Sequence, residues 1–227
     1  MKTASHFGRR QAILGIAQLL TIFPQSGLSQ TYKPTPTVNM GPFYPPSPTG
    51  LPFISVQRLS PLPTGNDLTR SASGQRAEGA QININGRIMN TFGQPIAGAK
   101  IEIWQVDNRG YYIVETGANL DPGFTGYGSY ITGDSGEYLF RTIKPGSYTR
   151  YGGLIKRTKH IHVRVEAPRY PVLTTEIWFD GEPHNQMDTF IRRITDQQIR
   201  ARMLIKLSSS ENGITSGWFD VVLSESR

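Results

Sequence analysis

The chain has 227 residues, no cysteine and a formal net charge of +7, so it can bury one sizeable core but can hold neither a disulfide framework nor a thiolate metal site. Its lysines and arginines form no long run with interleaved aromatics, which argues against nucleic acid as a partner and supports only a weak attraction for anionic molecules. Any metal would have to be held by His, Tyr, Asp or Glu.

Residues 1–29 read as a signal peptide. Arg9-Arg10 precedes a largely apolar 12-residue run, Ala12 to Phe23, which is too short to span a bilayer, and Gly27-Leu28-Ser29 offers a small-x-small cleavage site. The paired arginines favour the twin-arginine route over an ordinary secretory signal, so export to the periplasm or the medium is expected. Lys2, Arg9 and Arg10 are the only charged residues of that segment, and their removal lowers +7 to +4. Nothing else in the chain reads as a membrane span.

From residue 30 to 79 the sequence reads as a proline-rich arm followed by a polar linker. Nine of the 16 prolines lie between Pro34 and Pro63, where the missing N–H groups disfavour helices and sheet ladders. Phe43 and Tyr44 interrupt this arm. They either staple it to the domain or place Tyr44 at the rim of a substrate pocket, and the stapling reading is the simpler.

The domain is expected over 80–227. Gln81–Met89, Lys100–Val106, Glu137–Ile143, Arg157–Val165, Leu173–Phe179 and Gly217–Leu223 alternate or run apolar and are separated by Gly, Pro, Asn and Asp turns. Thr116 to Ser129 reads as a long Gly-rich loop. Thr195–Lys206 is the one convincing helix, with Thr195 as its cap. The pattern predicts a mainly β protein, an antiparallel β-sandwich with a proline-rich N-terminal arm and one short C-terminal helix.

Within Arg157–Val165, Ile161, Val163 and Val165 point one way, so His160 and His162 emerge together on the other face. Two imidazoles side by side on a strand can both ligate a metal. Two completions stay open at this point. A zinc site would add His184, although that residue reads as part of a turn, Gly-Glu-Pro-His-Asn. A hard trivalent cation would instead recruit tyrosines, whose phenolates it stabilises. Tyr112 and Tyr148 each lie at a strand end, where a side chain can be aimed into a site.

Several segments, in consistent order, together resemble the intradiol ring-cleavage dioxygenases, the family of protocatechuate 3,4-dioxygenase and catechol 1,2-dioxygenase. They are Gly41-Pro-Phe-Tyr-Pro45, the stretch 85–107 ending Trp-Gln-Val-Asp, Gly110-Tyr-Tyr112, Lys144-Pro-Gly-Ser-Tyr148, Arg157…His160-Ile-His162 and Leu173-Thr-Thr-Glu-Ile-Trp-Phe179. The resemblance implies an Fe(III)-dependent, non-haem enzyme that inserts both atoms of O2 into a catechol-type ring to give a cis,cis-muconate. Its iron ligands would be Tyr112, Tyr148, His160 and His162, with Tyr148 displaced when substrate binds. Arg157 would face charge developing on the substrate.

The implied partners are a small aromatic diol and O2, and the resemblance leaves room for a homo-oligomer. One departure is Glu176, at a position the family usually fills with Gln; a carboxylate there can pair with Arg157 or act as a base towards substrate. Tyr148 to His160 is also a residue shorter than the family spacing, which makes Tyr151 a substitute ligand. The rival from a different class is a non-catalytic exported β-sandwich that binds a sugar, peptide or protein.

Overall fold

A computed structural model describes residues 31–46, 61–150 and 155–225. The expected signal segment and Tyr151 lie outside these residues. The protein is mainly β. Its strands are β1 (Gln81–Asn90), β2 (Lys100–Trp104), β3 (Tyr127–Ile131), β4 (Glu137–Ile143), β5 (Tyr148–Arg150), β6 (Ile155–Arg157), β7 (His160–Glu166) and β8 (Leu173–Phe179). Helices α1 (Thr189–Arg193) and α2 (Gln197–Met203) follow, then β9 (Leu204–Ile205), β10 (Ser208–Ser209), β11 (Thr215–Trp218) and β12 (Val221–Leu223).

Two five-stranded sheets share one core. In the first, β1 is central: β4 pairs along one edge while β11 and then β12 pair along the other. The second has the order β3-β2-β7-β8-β9, and β5 and β6 form a separate hairpin. Ile84, Ile88, Phe140 and Val221 of the first sheet meet Ile101, Ile103, Ile161, Val163 and Ile177 of the second in a single apolar cluster. Alternation puts these residues inside because successive strand side chains point to opposite faces. Fully burying each large aliphatic side chain contributes about 1.5–3 kcal/mol.

The sandwich is mixed rather than purely antiparallel. Strands β11 and β12 run parallel to β1, and β9 runs parallel to β8. Chain passing through the α1–α2 region returns in the same direction as the strand it joins, which a hairpin cannot do. At the break between β11 and β12, the Phe219 N–H donates to the Asn85 carbonyl, and a Cβ on Gly86 would fall 1.9 Å from the Phe219 oxygen. Only glycine fits there.

Three expectations are corrected. Among the described residues there are two short helices, and α2 is capped by Asp196, whose carboxylate accepts from Gln198 N and Ile199 N, rather than by Thr195. The helix ends at Met203 because Leu204 and Ile205 leave it to pair with Trp178 and Phe179. The Gly-rich stretch ending at Ser129 contains the start of β3, held by its ladder to β2; Gly128 has no Cβ where Leu68 packs at 2.6 Å. The linker, expected over 66–78, is not free: Leu68 is fully buried in the core and its N–H donates to Arg141 O.

Candidate metal centre

Strand β7 carries the site because it is central in its sheet and its outer face is roofed. Its register sets Trp104 of β2 and Glu176 of β8 on either side of His162, and Trp178 beside His160. The arm supplies the roof. Phe43 stacks on Tyr112 with ring centroids 4.4 Å apart, and Tyr44 lies over Trp104 at 4.9 Å. Trp104 in turn stacks nearly parallel on His162, at 4.8 Å and 6°.

The tyrosines come from two loops that glycine allows to touch. Asp107 ends the β2 stretch and organises the first loop, its Oδ1 accepting from Arg109 N and Tyr111 N and its Oδ2 from Asp121 N. Gly110 has φ +90°, and a Cβ there would lie 2.4 Å from Ser147 O. A Cβ on Gly146 would lie 2.5 Å from Asn108 O, and Gly146 N donates to Asp107 O. Replacing either glycine by a residue with a Cβ would push the Tyr112 and Tyr148 segments apart.

Three donor atoms converge. Tyr112 Oη is 3.2 Å from His160 Nε2 and 2.9 Å from His162 Nε2, and the two nitrogens are 3.3 Å apart. Atoms about 2.0–2.1 Å from one shared ion stand about 3 Å apart at right angles, so this spacing suits a single metal. The His160 Nδ1–H faces Thr158 O at 2.7 Å, which fixes the tautomer that leaves a lone pair on Nε2. Tyr148 joins the group through its ring, edge-on to Tyr112 at 5.7 Å and to His160 at 6.5 Å.

The protonation states suit neutral imidazole donors. Burial lowers the pKa of His160, and burial together with His160 and Arg157 lowers that of His162 much further. Burial, then the charge of Glu176 and the neighbouring Tyr148, raise Tyr112 well above an ordinary phenol. Without a cation Tyr112 therefore keeps its proton; a trivalent ion supplies the charge that reverses this. The donor set of two imidazoles and phenol oxygens fits a hard ferric ion better than a soft one.

Arg157 is buried and doubly paired. Its Nη2 donates to Glu176 Oε2 at 2.5 Å and its Nε to Asp188 Oδ2 at 2.8 Å, while its guanidinium lies over the Phe190 ring at 4.2 Å. Burial lowers its pKa, but Glu176 and Asp188 outweigh that and hold it raised. The pairing of Glu176 with Arg157 matches one of the two roles the sequence suggested. Asp188 was not singled out; it also caps α1 through Phe190 N and accepts from Thr158 N. Its sequence signal was an Asp at the N-cap position of a five-residue helix.

Among the described residues, the His and carboxylate group able to hold an ion is His160, His162 and Glu176, and His184 is not part of it. His184 lies in the turn, where its carbonyl accepts from Met187 N and Asp188 N, so the zinc arrangement with His184 is not assembled. Glu176 approaches His162 from Nδ1, at 3.6 Å, whereas Tyr112 and His160 gather at Nε2. It is therefore placed behind the ring rather than among the converging donors. Tyr44 is 8% exposed and its hydroxyl donates to Glu102 Oε2 at 2.9 Å. That bond ties the arm to the outer face of β2. A groove of about 980 Å³ adjoins this site, its lining including Leu62 and Ile113, which pack against the Phe43–Tyr112 cluster, and Asp107 and Tyr111 of the Tyr112 loop.

Comparison with known proteins agrees with this geometry. Residues 56–225 match the Dioxygenase_C family model, described as "Dioxygenase". The chain is 32% identical over 182 residues to the protocatechuate 3,4-dioxygenase beta chain of Burkholderia cepacia, covering 76% of each chain. It is 29% identical over 232 residues to the hydroxyquinol 1,2-dioxygenase of Rhizobium sp. (strain MTP-10005), covering 91% of this chain and 68% of that one. Among solved structures, the dioxygenase domain of a dioxygenase–carbohydrate-binding fusion from Streptomyces sp. SirexAA-E superposes with a TM-score of 0.61 at 29% identity, covering 86% of this chain and all of that one. With its matched segments reaching from the arm to β12, the chain belongs to the intradiol ring-cleavage dioxygenase family.

Proposed function

We propose that this protein is an exported, Fe(III)-dependent intradiol dioxygenase that opens a catechol-type aromatic diol with O2 to give a cis,cis-muconate. The observation that carries the reading is the convergence of Tyr112 Oη, His160 Nε2 and His162 Nε2 within 2.9–3.3 Å of one another in a buried site. Tyr148 completes the set. The relatives' catechol-type substrates support the substrate class. Export rests on the Arg9-Arg10 segment, and amino-terminal sequencing of secreted protein tests it: a mature start near residue 30 is expected, and an intact Met1 in the cytoplasm contradicts it.

Bound ferric iron would stabilise the phenolate and catecholate oxygens and accept electron density from the ring, which opens the aromatic diol to O2. The protein's own groups do the rest. Tyr112, stacked under Phe43 and fully enclosed, is the fixed phenolate. Tyr148 lies on the short β5–β6 hairpin opposite Arg157, and its oxygen takes one hydroxyl proton of the incoming diol. Arg157 has Nε and Nη2 committed to the two carboxylates, leaving the Nη1 N–H groups to face a developing anion. The Phe43 and Trp104 rings exclude water from the donor atoms.

The test is oxygen uptake by iron-loaded protein over catechol, protocatechuate and hydroxyquinol, with product structure by NMR. One O2 consumed per dicarboxylate formed is expected with at least one of them. No uptake with any, or an aldehyde product from cleavage outside the two hydroxyls, contradicts the proposal.

A further inference from the structure

His160 and His162 are held by unlike groups. The Nδ1 of His160 meets a neutral carbonyl, that of Thr158. The Nδ1 of His162 faces Glu176 Oε1 at 3.6 Å; both atoms are buried, and neither has a hydrogen-bond partner among the described residues. Leaving a buried ring nitrogen and a buried carboxylate oxygen both unpaired is costly, and a hydrogen on Nδ1 would let each satisfy the other. A shift of about 0.7 Å would bring them to normal hydrogen-bond length.

The surroundings leave His162 little else to do. Trp104 stacks on one side of its ring, and Gly41 of the arm lies beside Cε1, where an added Cβ would be in ordinary contact at 4.0 Å. Glu176 is equally fixed, because its other oxygen is taken by Arg157, which Asp188 anchors to the start of α1.

We propose that Glu176 is a positioning residue for His162: it accepts the Nδ1 hydrogen, sets the tautomer that leaves Nε2 facing Tyr112, and makes His162 a stronger electron donor than His160. The role rests on the metal reading above. A carboxylate behind a ligating imidazole fixes the ring and raises its basicity, and loss of such a partner typically weakens metal affinity about 10- to 100-fold. A stronger donor favours the ferric over the ferrous ion. The path Asp188–Arg157–Glu176–His162 also joins the residue that faces the substrate to the residue that holds the ion, so their positions are coupled.

The experiment has two arms. In metal-free protein, imidazole ¹H–¹⁵N spectra report the His162 tautomer. A downfield, slowly exchanging Nδ1 proton is expected in the wild type and is expected to move upfield in Glu176→Gln. In iron-loaded protein, the same substitution should shift the tyrosinate charge-transfer band to longer wavelength, make the iron easier to reduce and weaken its retention about 10- to 100-fold. Asp188→Asn is the comparison, because it loosens Arg157 but keeps the carboxylate at His162; the Nδ1 proton should move less than in Glu176→Gln.

An Nε2–H tautomer at His162, or a Nδ1 proton unmoved by Glu176→Gln, overturns the proposal. So does an equal displacement of that proton by Asp188→Asn. If the wild type binds no iron, the ferric reading fails while the first arm still decides the role of Glu176.

Discussion

Glu102→Gln tests how the arm is fastened over the site. Glu102 is 1% exposed on the same outer face as His162. Its Oε1 accepts from Tyr127 Oη at 2.5 Å and pairs with Lys100 Nζ at 2.8 Å; its Oε2 accepts from Tyr44 Oη and Arg164 Nη1, both at 2.9 Å. Every partner is a donor. A glutamine must turn its own NH2 towards one of those two pairs, so one side becomes donor against donor. Each bond to the buried carboxylate is worth about 1.5–3 kcal/mol, and the half-exposed Lys100 adds roughly 0–1.

The expected loss is therefore about 3–5 kcal/mol at pH 7, the range for removing one partner of a buried ion pair. Burial by itself would raise the Glu102 pKa, but the hydrogen bonds from Lys100, Tyr127, Tyr44 and Arg164 prevail and hold it below the usual value. A carboxylate with a depressed folded pKa contributes stability that is present above its unfolded pKa of about 4.3 and lost as pH falls through the folded value. Urea denaturation of wild type and variant at pH 7, 5 and 3.5 measures this. The difference should be full at pH 7 and 5 and shrink at 3.5. A loss below about 1 kcal/mol at pH 7, or a difference independent of pH, refutes the reasoning.

Two other substitutions probe the scaffold of the donor atoms. Phe43→Ala removes the ring stacked on Tyr112 and should cost about 3–5 kcal/mol by denaturation, and it should also speed the loss of bound iron to a chelator. Gly146→Ala forces a Cβ to within 2.5 Å of the Asn108 carbonyl and should destabilise by about 1–3 kcal/mol while altering the tyrosinate spectrum, because it moves the Tyr148 loop. An unchanged melting curve for either would mean that the arm or the loop contact bears no load.

The core strands were legible because each keeps one face apolar: β1, β4, β7 and β8 alternate or run apolar over seven or more residues. Strand β3 was not, since Tyr-Gly-Ser-Tyr-Ile has turn composition and becomes a strand only through its ladder to β2. The two-residue strands β9 and β10 are too short to carry any period. The parallel joins of β11 and β12 to β1 are set by where the chain returns, which local pattern does not encode.

At the site, His160 and His162 followed from alternation alone. The tyrosines needed the family resemblance, because a tyrosine at a strand end usually has a simpler role. The register then placed Glu176 directly across from His162, a pairing between segments that no single stretch of sequence specifies. Asp188 and the contact between Gly110 and Gly146 were hidden for the same reason.

The central claim is a ferric ion held by two phenolates and two imidazoles, and its most direct test is the visible spectrum of protein expressed with ample iron. The account predicts a red-brown protein with a broad tyrosinate-to-iron band that shifts when catechol is added and loses much of its intensity in Tyr112→Phe. A colourless protein without iron, or one whose band survives Tyr112→Phe unchanged, would contradict it.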